Sequence, residues 1–129
     1  MANRFRDWLK QSQADLEHAR TSHEAEQYEW SCFAAHQSAE KALKAVFLNR
    51  GADAWGHTLT ALLGNLAEAG RIPEELFDCA KMLDKHYIPT RYPNGFDSGA
   101  PTDFYTRGES ESALSCAERI IEYCQNQVL

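Results

Sequence analysis

No stretch of this sequence stays apolar for the roughly 20 residues that a membrane-spanning helix needs, so a helical membrane anchor is not expected. The four cysteines, Cys32, Cys79, Cys116 and Cys124, contain no C-x-x-C pair, which takes away the usual mark of a zinc site or redox motif. There is no G-x-S-x-G, no Walker loop and no H-E-x-x-H, and the seven glycines stand singly rather than grouped around a phosphate. Neither a metal nor a cofactor is expected. Basic residues are also scarce: 13 Lys and Arg against 19 Asp and Glu give a net charge of −6. That balance argues against a broad nucleic-acid surface and leaves room only for a local basic pocket. The opening Met1-Ala2-Asn3-Arg4-Phe5-Arg6-Asp7 lacks the apolar core of a signal peptide, which predicts a cytoplasmic location.

What is present is helical periodicity. With 129 residues, 43% hydrophobic and 25% charged, the chain has the size and composition of one domain over 1–129 that buries a core without staples. Phe5, Trp8, Leu9, Ser12, Leu16 and Ala19 recur at three- and four-residue steps and predict an amphipathic first helix to about Thr21. A second runs from Tyr28 to Asn49 through Trp30, Phe33, Ala34, Gln37, Lys41, Ala45 and Leu48, with Gly51 as its C-terminal cap. Leu59, Leu62, Leu63 and Leu66 mark a third, with Thr58 as N-cap and an end near Gly70. Pro73 suits the first turn of a fourth, whose apolar face of Leu76, Phe77, Ala80, Leu83 and Tyr87 runs to about His86. Thr106-Arg107-Gly108-Glu109 has the spacing of a capping box, opening a last helix on Ala113, Leu114, Ala117, Ile120, Ile121 and Cys124.

Between Ile88 and Tyr105, Pro89, Pro93, Gly95, Gly99 and Pro101 forbid a regular helix. Tyr92, Phe96, Phe104 and Tyr105 argue that this loop packs on the body, because disordered segments are poor in aromatics. The prediction is all-α: a five-helix up-and-down antiparallel bundle with a long Pro/Gly-rich loop before the last helix. Its expected core is Trp8, Leu16, Phe33, Val46, Leu62, Leu66, Leu83, Leu114, Ile120 and Ile121. The cysteines fall within helical patterns and read as small buried hydrophobes.

Candidate chemistry gathers at the junction of the fourth helix and the loop. Lys81, Lys85 and His86 there either complement the negative end of the helix dipole or belong to an anion pocket. In that pocket Arg91 would fork onto phosphate and Tyr92 would offer a stacking face. In the second helix Gln37, Lys41 and Lys44 put polar groups on or beside an apolar stripe next to Glu40. Either the Lys stems lie on apolar surface with their ammonium groups in water, or the row serves a site. His57 either caps the third helix or faces a cleft.

Several of these segments together resemble the HEPN family (higher eukaryotes and prokaryotes nucleotide-binding), in its small stand-alone prokaryotic form. The resemblance covers nearly the whole chain. It is carried by Trp8-Leu9 with Asp15-Leu16, by Cys32-Phe33-Ala34-Ala35-His36-Gln37-Ser38-Ala39-Glu40-Lys41-Ala42-Leu43-Lys44-Ala45, by His57-Thr58-Leu59 with Leu62-Leu63, and by Thr90-Arg91-Tyr92-Pro93. It implies a helical bundle that forms a homodimer and binds a nucleotide, often paired with a minimal nucleotidyltransferase as the two halves of a toxin–antitoxin system. On that reading Lys41, Lys44, His57, Lys85, Arg91 and Tyr92 line the nucleotide or partner site.

The alternative the resemblance implies is a metal-independent ribonuclease toxin acting on RNA through an Arg, four to six residues and a His. No His follows Arg91. Arg50 and His57 have the spacing, but Gly51 ends the helix after Arg50, out of the motif's usual context. Arg91 with His86 is the other pair this alternative could use.

Overall fold

The computed structural model describes residues 3–128. Six α-helices occur among them: α1 (Phe5–Glu24), α2 (Tyr28–Asn49), α3 (Leu59–Ala67), α4 (Glu74–Asp84), α5 (Pro101–Phe104) and α6 (Arg107–Gln127). The expected count of five is corrected to six. The Pro/Gly-rich segment is not plain loop: Pro93–Gly95 makes a 3-10 turn, and Pro101 starts α5, its ring preset for a first helical position. The Asp103 carboxylate accepts from the Ala100 amide at 2.9 Å to hold that start. Gly99 is obligatory here, since its φ is +82° and a Cβ would meet the Phe104 ring at 2.7 Å. Phe104 in turn stacks on Phe96 at 4.7 Å.

Small residues allow α1 and α2 to approach closely. Ser12, Ala19 and Ser22 of α1 and Ser31, Ala35, Ser38 and Ala39 of α2 are buried. The Ser12 hydroxyl donates to the Ser38 carbonyl at 2.6 Å and Ser31 to the Ala19 carbonyl at 2.8 Å. These pairs, low number against high, make the two helices antiparallel. Asn3 extends the pairing by donating from Nδ2 to the Leu48 carbonyl at 2.6 Å.

The last helix lies on both. Arg20 faces Glu118 at 3.6 Å and His23 meets Ser110, so α6 is antiparallel to α1. Arg107 sits over the Tyr28 ring and Arg50 donates to Gln127, so α6 runs parallel to α2. Its start is the predicted capping box: Thr106 Oγ1 accepts from the Glu109 amide at 3.2 Å, and Glu109 accepts from the Thr106 amide at 3.1 Å.

Strict up-and-down order fails at α3. Gly51, at φ +77°, ends α2 with its amide on the Leu48 carbonyl, and residues 51–58 carry the chain back along α2 to His36. From there α3 sets out in the same sense as α2, and α4 returns antiparallel to it, because the first residue of α3 meets the last of α4. Thr58 makes no side-chain cap; Asp84 does that work instead.

The core is a single cluster from five helices, centred on Leu43, Val46, Leu59, Leu63, Leu83, Ala117 and Ile120. Of the ten core residues expected, Trp8 and Phe33 are only half-buried. Cys32, Cys79 and Cys124 are buried, Cys116 half-buried, and all four are free thiols. Among the described residues no helix is long and apolar enough to cross a membrane.

Candidate functional site

One turn of sequence spacing on α2 puts Phe33, His36, Gln37, Glu40, Lys41 and Lys44 on adjoining faces. Opposite them stand the end of α4 and the turn after it, with Asp84, Tyr87 and Arg91. The returning 51–58 segment supplies His57. These pieces meet around the Tyr87 ring. His57 stacks on it with centroids 4.8 Å apart and planes 18° from parallel. The Arg91 guanidinium carbon lies 4.6 Å from its centre, 4.4 Å from Phe33 and 5.3 Å from Tyr92. Arg91 Nε donates to the Tyr87 carbonyl at 2.9 Å, fixing the planar fork over the rings.

Beneath the stack is a polar network. His36 is fully buried, and its Nε2 meets only acceptors, the His57 carbonyl at 3.0 Å and Asp84 Oδ1 at 3.5 Å, so that nitrogen carries a proton. Asp84 also accepts from the Leu59 amide at 2.8 Å and from the Thr60 amide and hydroxyl at 3.1 and 2.7 Å. Burial pushes its carboxyl up. The hydrogen bonds from His36, Thr60 and the Leu59 and Thr60 amides outweigh that and hold it below the usual carboxylate range. Glu40, its side chain only 7% exposed, takes His57 Nδ1 at 2.9 Å and Lys44 Nζ at 3.1 Å. His57 itself is 54% exposed, and with Nδ1 on a carboxylate its Nε2 is the nitrogen left for a ligand. A cleft of about 340 Å³ opens there, lined by His57, Thr58, Asp84, Tyr87, Ile88 and Pro89.

The structure brings His57, Arg91 and Tyr92 together and adds Lys44 through Glu40. Lys41 is near by but turned toward α1, paired with Asp15 at 2.6 Å. It lines a separate groove of about 270 Å³ with Asp15, His18, Trp30, Phe33, Ala34 and Gln37. Lys85 is not part of the stack. It lines another cleft with Met82, His86, Thr106, Gly108, Glu109 and Ser112.

Neither proposed Arg–His pair is assembled. Arg50 bonds Gln127 at 3.2 Å near the far end of α2, roughly 15 Å along the helix from the Glu40 that holds His57. His86 is buried, its Nδ1 3.1 Å from the Tyr105 hydroxyl, and opens on the Lys85 side while Arg91 lies on Phe33 and Tyr87. Burial lowers the His86 pKa; Glu109 opposes this, and His36 and Lys85 add to it. Cys32 is no nucleophile, since burial first, then Glu109 and Glu29, push its thiol up to about 12. Among the described residues no three His, Cys, Asp or Glu side chains converge as a metal-ligand set.

Phe33, His36, Asp84 and Tyr87 were not singled out as site residues by the sequence reading. Phe33 and Tyr87 fit an apolar stripe, and Asp84 acts on residues 24 and 25 positions away. Only His36, a polar residue in the alanine-rich face of α2, carried a signal of its own.

The HEPN domain model matches residues 5–127. The chain is 26% identical over 124 residues to the candidate toxin MJ1304 of Methanocaldococcus jannaschii, covering 89% of this chain and 82% of that one. It is similar to the crystal structure of TT1696 from Thermus thermophilus, with a TM-score of 0.95, 46% identity and coverage of 98% and 100%. For an archaeal HEPN homologue the TM-score is 0.84 with 36% identity, and both chains are fully covered. For a HEPN domain protein from Thermotoga maritima it is 0.77 with 41% identity, covering 93% and 95%.

Proposed function

The chain belongs to the HEPN family, and on that premise we propose that it is a cytoplasmic nucleotide-binding module, the HEPN half of a toxin–antitoxin pair with a minimal nucleotidyltransferase. The observation that carries this reading is Arg91. Lys41 and Lys44 are each spent on a carboxylate, Asp15 and Glu40. Arg91 takes part in none of the ion pairs among the described residues, yet it is held in place by three rings and the Tyr87 carbonyl. A guanidinium in no such ion pair, held on two rings that themselves line cavities, is suited to a phosphate, which it can take with two parallel N–H donors. The half-exposed Tyr92 beside it supplies a further face.

The toxin part rests on the resemblance to MJ1304, a protein named as a candidate toxin. The homodimer and the nucleotidyltransferase partner are what the family resemblance implies. Titration calorimetry with nucleoside phosphates tests the ligand, and co-purification with a nucleotidyltransferase encoded beside this gene tests the partner. Heat that vanishes in Arg91→Ala supports the first, and a stable complex supports the second. No heat and no complex would remove both.

A second reading is favoured by one contact, His57 Nδ1 on the buried Glu40. A carboxylate-oriented imidazole sharing a ring with an Arg is an arrangement able to move a proton at an RNA phosphodiester. This would be a ribonuclease toxin with His57 as base and Arg91 on the phosphate, in place of Arg50 or His86. Cleavage of RNA with a bell-shaped pH profile, lost in His57→Ala, is the result it requires; intact RNA at every pH sinks it.

A further inference from the structure

The groove between α1 and α2 lies beside the site so far assigned and touches it through Phe33 and through Gln37, whose amide oxygen is 3.2 Å from His36 Nδ1. Phe33 lines it, and the same ring carries Arg91 at 4.4 Å. Its other wall is Trp30, which is 47% exposed although it stands among the largest apolar side chains of the molecule. Trp30 meets Phe33 with centroids 6.2 Å apart and planes at 77°, so the two rings are not stacked and at least one face of the half-exposed indole is left open.

The rim is polar and mixed in sign: the His18 imidazole, the Gln37 amide, the Lys41 ammonium and the Asp15 carboxylate. Lys41 and Gln11 already satisfy Asp15 at 2.6 and 2.8 Å. The groove therefore offers both donors and acceptors, with its Lys and Asp charges spent on each other. A free phosphate finds no reason to enter it. A flat, neutral heterocycle with donors and acceptors around its edge does.

We infer that this groove seats a purine base, stacked on Trp30 with its edge toward Gln37 and Lys41, while Arg91 across Phe33 holds the phosphate of the same nucleotide. The inference rests on the phosphate reading of Arg91 given above. A two-ring base is favoured over a one-ring base because it overlaps more of the two-ring indole, and stacking strength follows the overlapped face. Sequence reading placed Trp30 and Phe33 on an apolar helical stripe; the half-exposure of both, rather than full burial, is what frees them for this role.

The test is calorimetric titration of the whole chain with AMP, UMP and ribose 5-phosphate, on wild type and on Trp30→Ala, Trp30→Phe and Arg91→Ala. Circular dichroism establishes that each variant keeps its helices. AMP should bind about tenfold or more tightly than ribose 5-phosphate, the range that base–aromatic stacking supplies, with UMP between them. Trp30→Ala should bring AMP down to the level of ribose 5-phosphate and leave ribose 5-phosphate unchanged, and Trp30→Phe should restore part of the difference.

Equal affinity for AMP and ribose 5-phosphate in wild type, both lost in Arg91→Ala, would overturn the base seat while leaving the phosphate reading intact. A Trp30→Ala variant that weakens both probes equally would also overturn it. UMP binding as tightly as AMP would overturn the purine assignment. If no probe binds, the phosphate reading fails and takes this inference with it.

Discussion

Asp84, the final residue of α4, closes the first turn of α3 by accepting from the Leu59 amide at 2.8 Å. One carboxylate thereby satisfies two free amides at a helix start, and the same group faces His36 Nε2 at 3.5 Å. Since that His36 nitrogen also bonds the His57 carbonyl, the cap of a short helix and the placement of the exposed imidazole are one arrangement.

Asp84→Ala should therefore destabilise the fold by about 1 to 2 kcal/mol, the cost of a lost helix cap, while His36 keeps its bond to the His57 carbonyl. Urea denaturation measures it. The folded-state pKa of Asp84 is depressed, so its contribution is present in full above the ordinary value of 3.8 and is lost as pH falls below it through the folded value. Wild type should lose stability in that acid window, and the variant should lose less.

The α1–α2 seam predicts intolerance of size. Ser12 is fully buried with its hydroxyl on the Ser38 carbonyl. Ser12→Leu should cost about 3 kcal/mol, because the added volume pries apart two helices that meet through Ser and Ala. Ser12→Ala should cost about 1 kcal/mol, the worth of one hydrogen bond. Thermal or urea unfolding that finds the two equal would contradict this close packing.

Arg91→Ala should weaken nucleotide binding by about tenfold or more, as loss of a charge-assisted pair of hydrogen bonds does. Arg91→Lys should recover only part of it, because an ammonium lacks the planar fork that lies on Phe33 and Tyr87. Both variants should keep wild-type helicity by circular dichroism.

Much of this fold was legible in the sequence because helix starts and stops are local chemistry. Gly51 and the Thr106–Glu109 box sit where the chain alone places them, Pro73 stands one residue outside the first turn expected of it, at the N-cap of α4, and the apolar faces of α4 and α6 emerge buried as their spacing requires. What could not be read was long-range. Thr58 has the right residue type for a cap, yet a carboxylate 26 positions away takes the role, and the return of residues 51–58 that sets α3 alongside α2 leaves no local mark. The site shows the same division. Arg91, Tyr92 and His57 were found by type, whereas Lys85, close in sequence, points into a different cleft because one residue along a helix turns a side chain by about 100°. Tyr87 was assigned to the apolar face, and only its contacts with His57 and Arg91 reveal it as the surface that joins them.

His86 predicts a second pH effect, nearer neutrality. Its burial favours the neutral imidazole, so the unfolded chain takes up a proton more readily than the folded one. Stability should be complete above the ordinary value of 6.5 and decline as pH falls from there through the lower folded value. His86→Gln, which keeps a polar partner for Tyr105 but cannot titrate, should flatten that part of the profile in unfolding experiments run at stepwise pH.

The two bonds that flank the end of α2, from Asn3 to the Leu48 carbonyl and from Arg50 to Gln127, bring residues 3 and 127 to one pole of the bundle. A short flexible linker could therefore splice those positions and let the polypeptide be reopened within residues 51–58, where Trp55 projects 87% into solvent. Such a circularly permuted chain would reorder the helices along the sequence while leaving every interhelical seam in place.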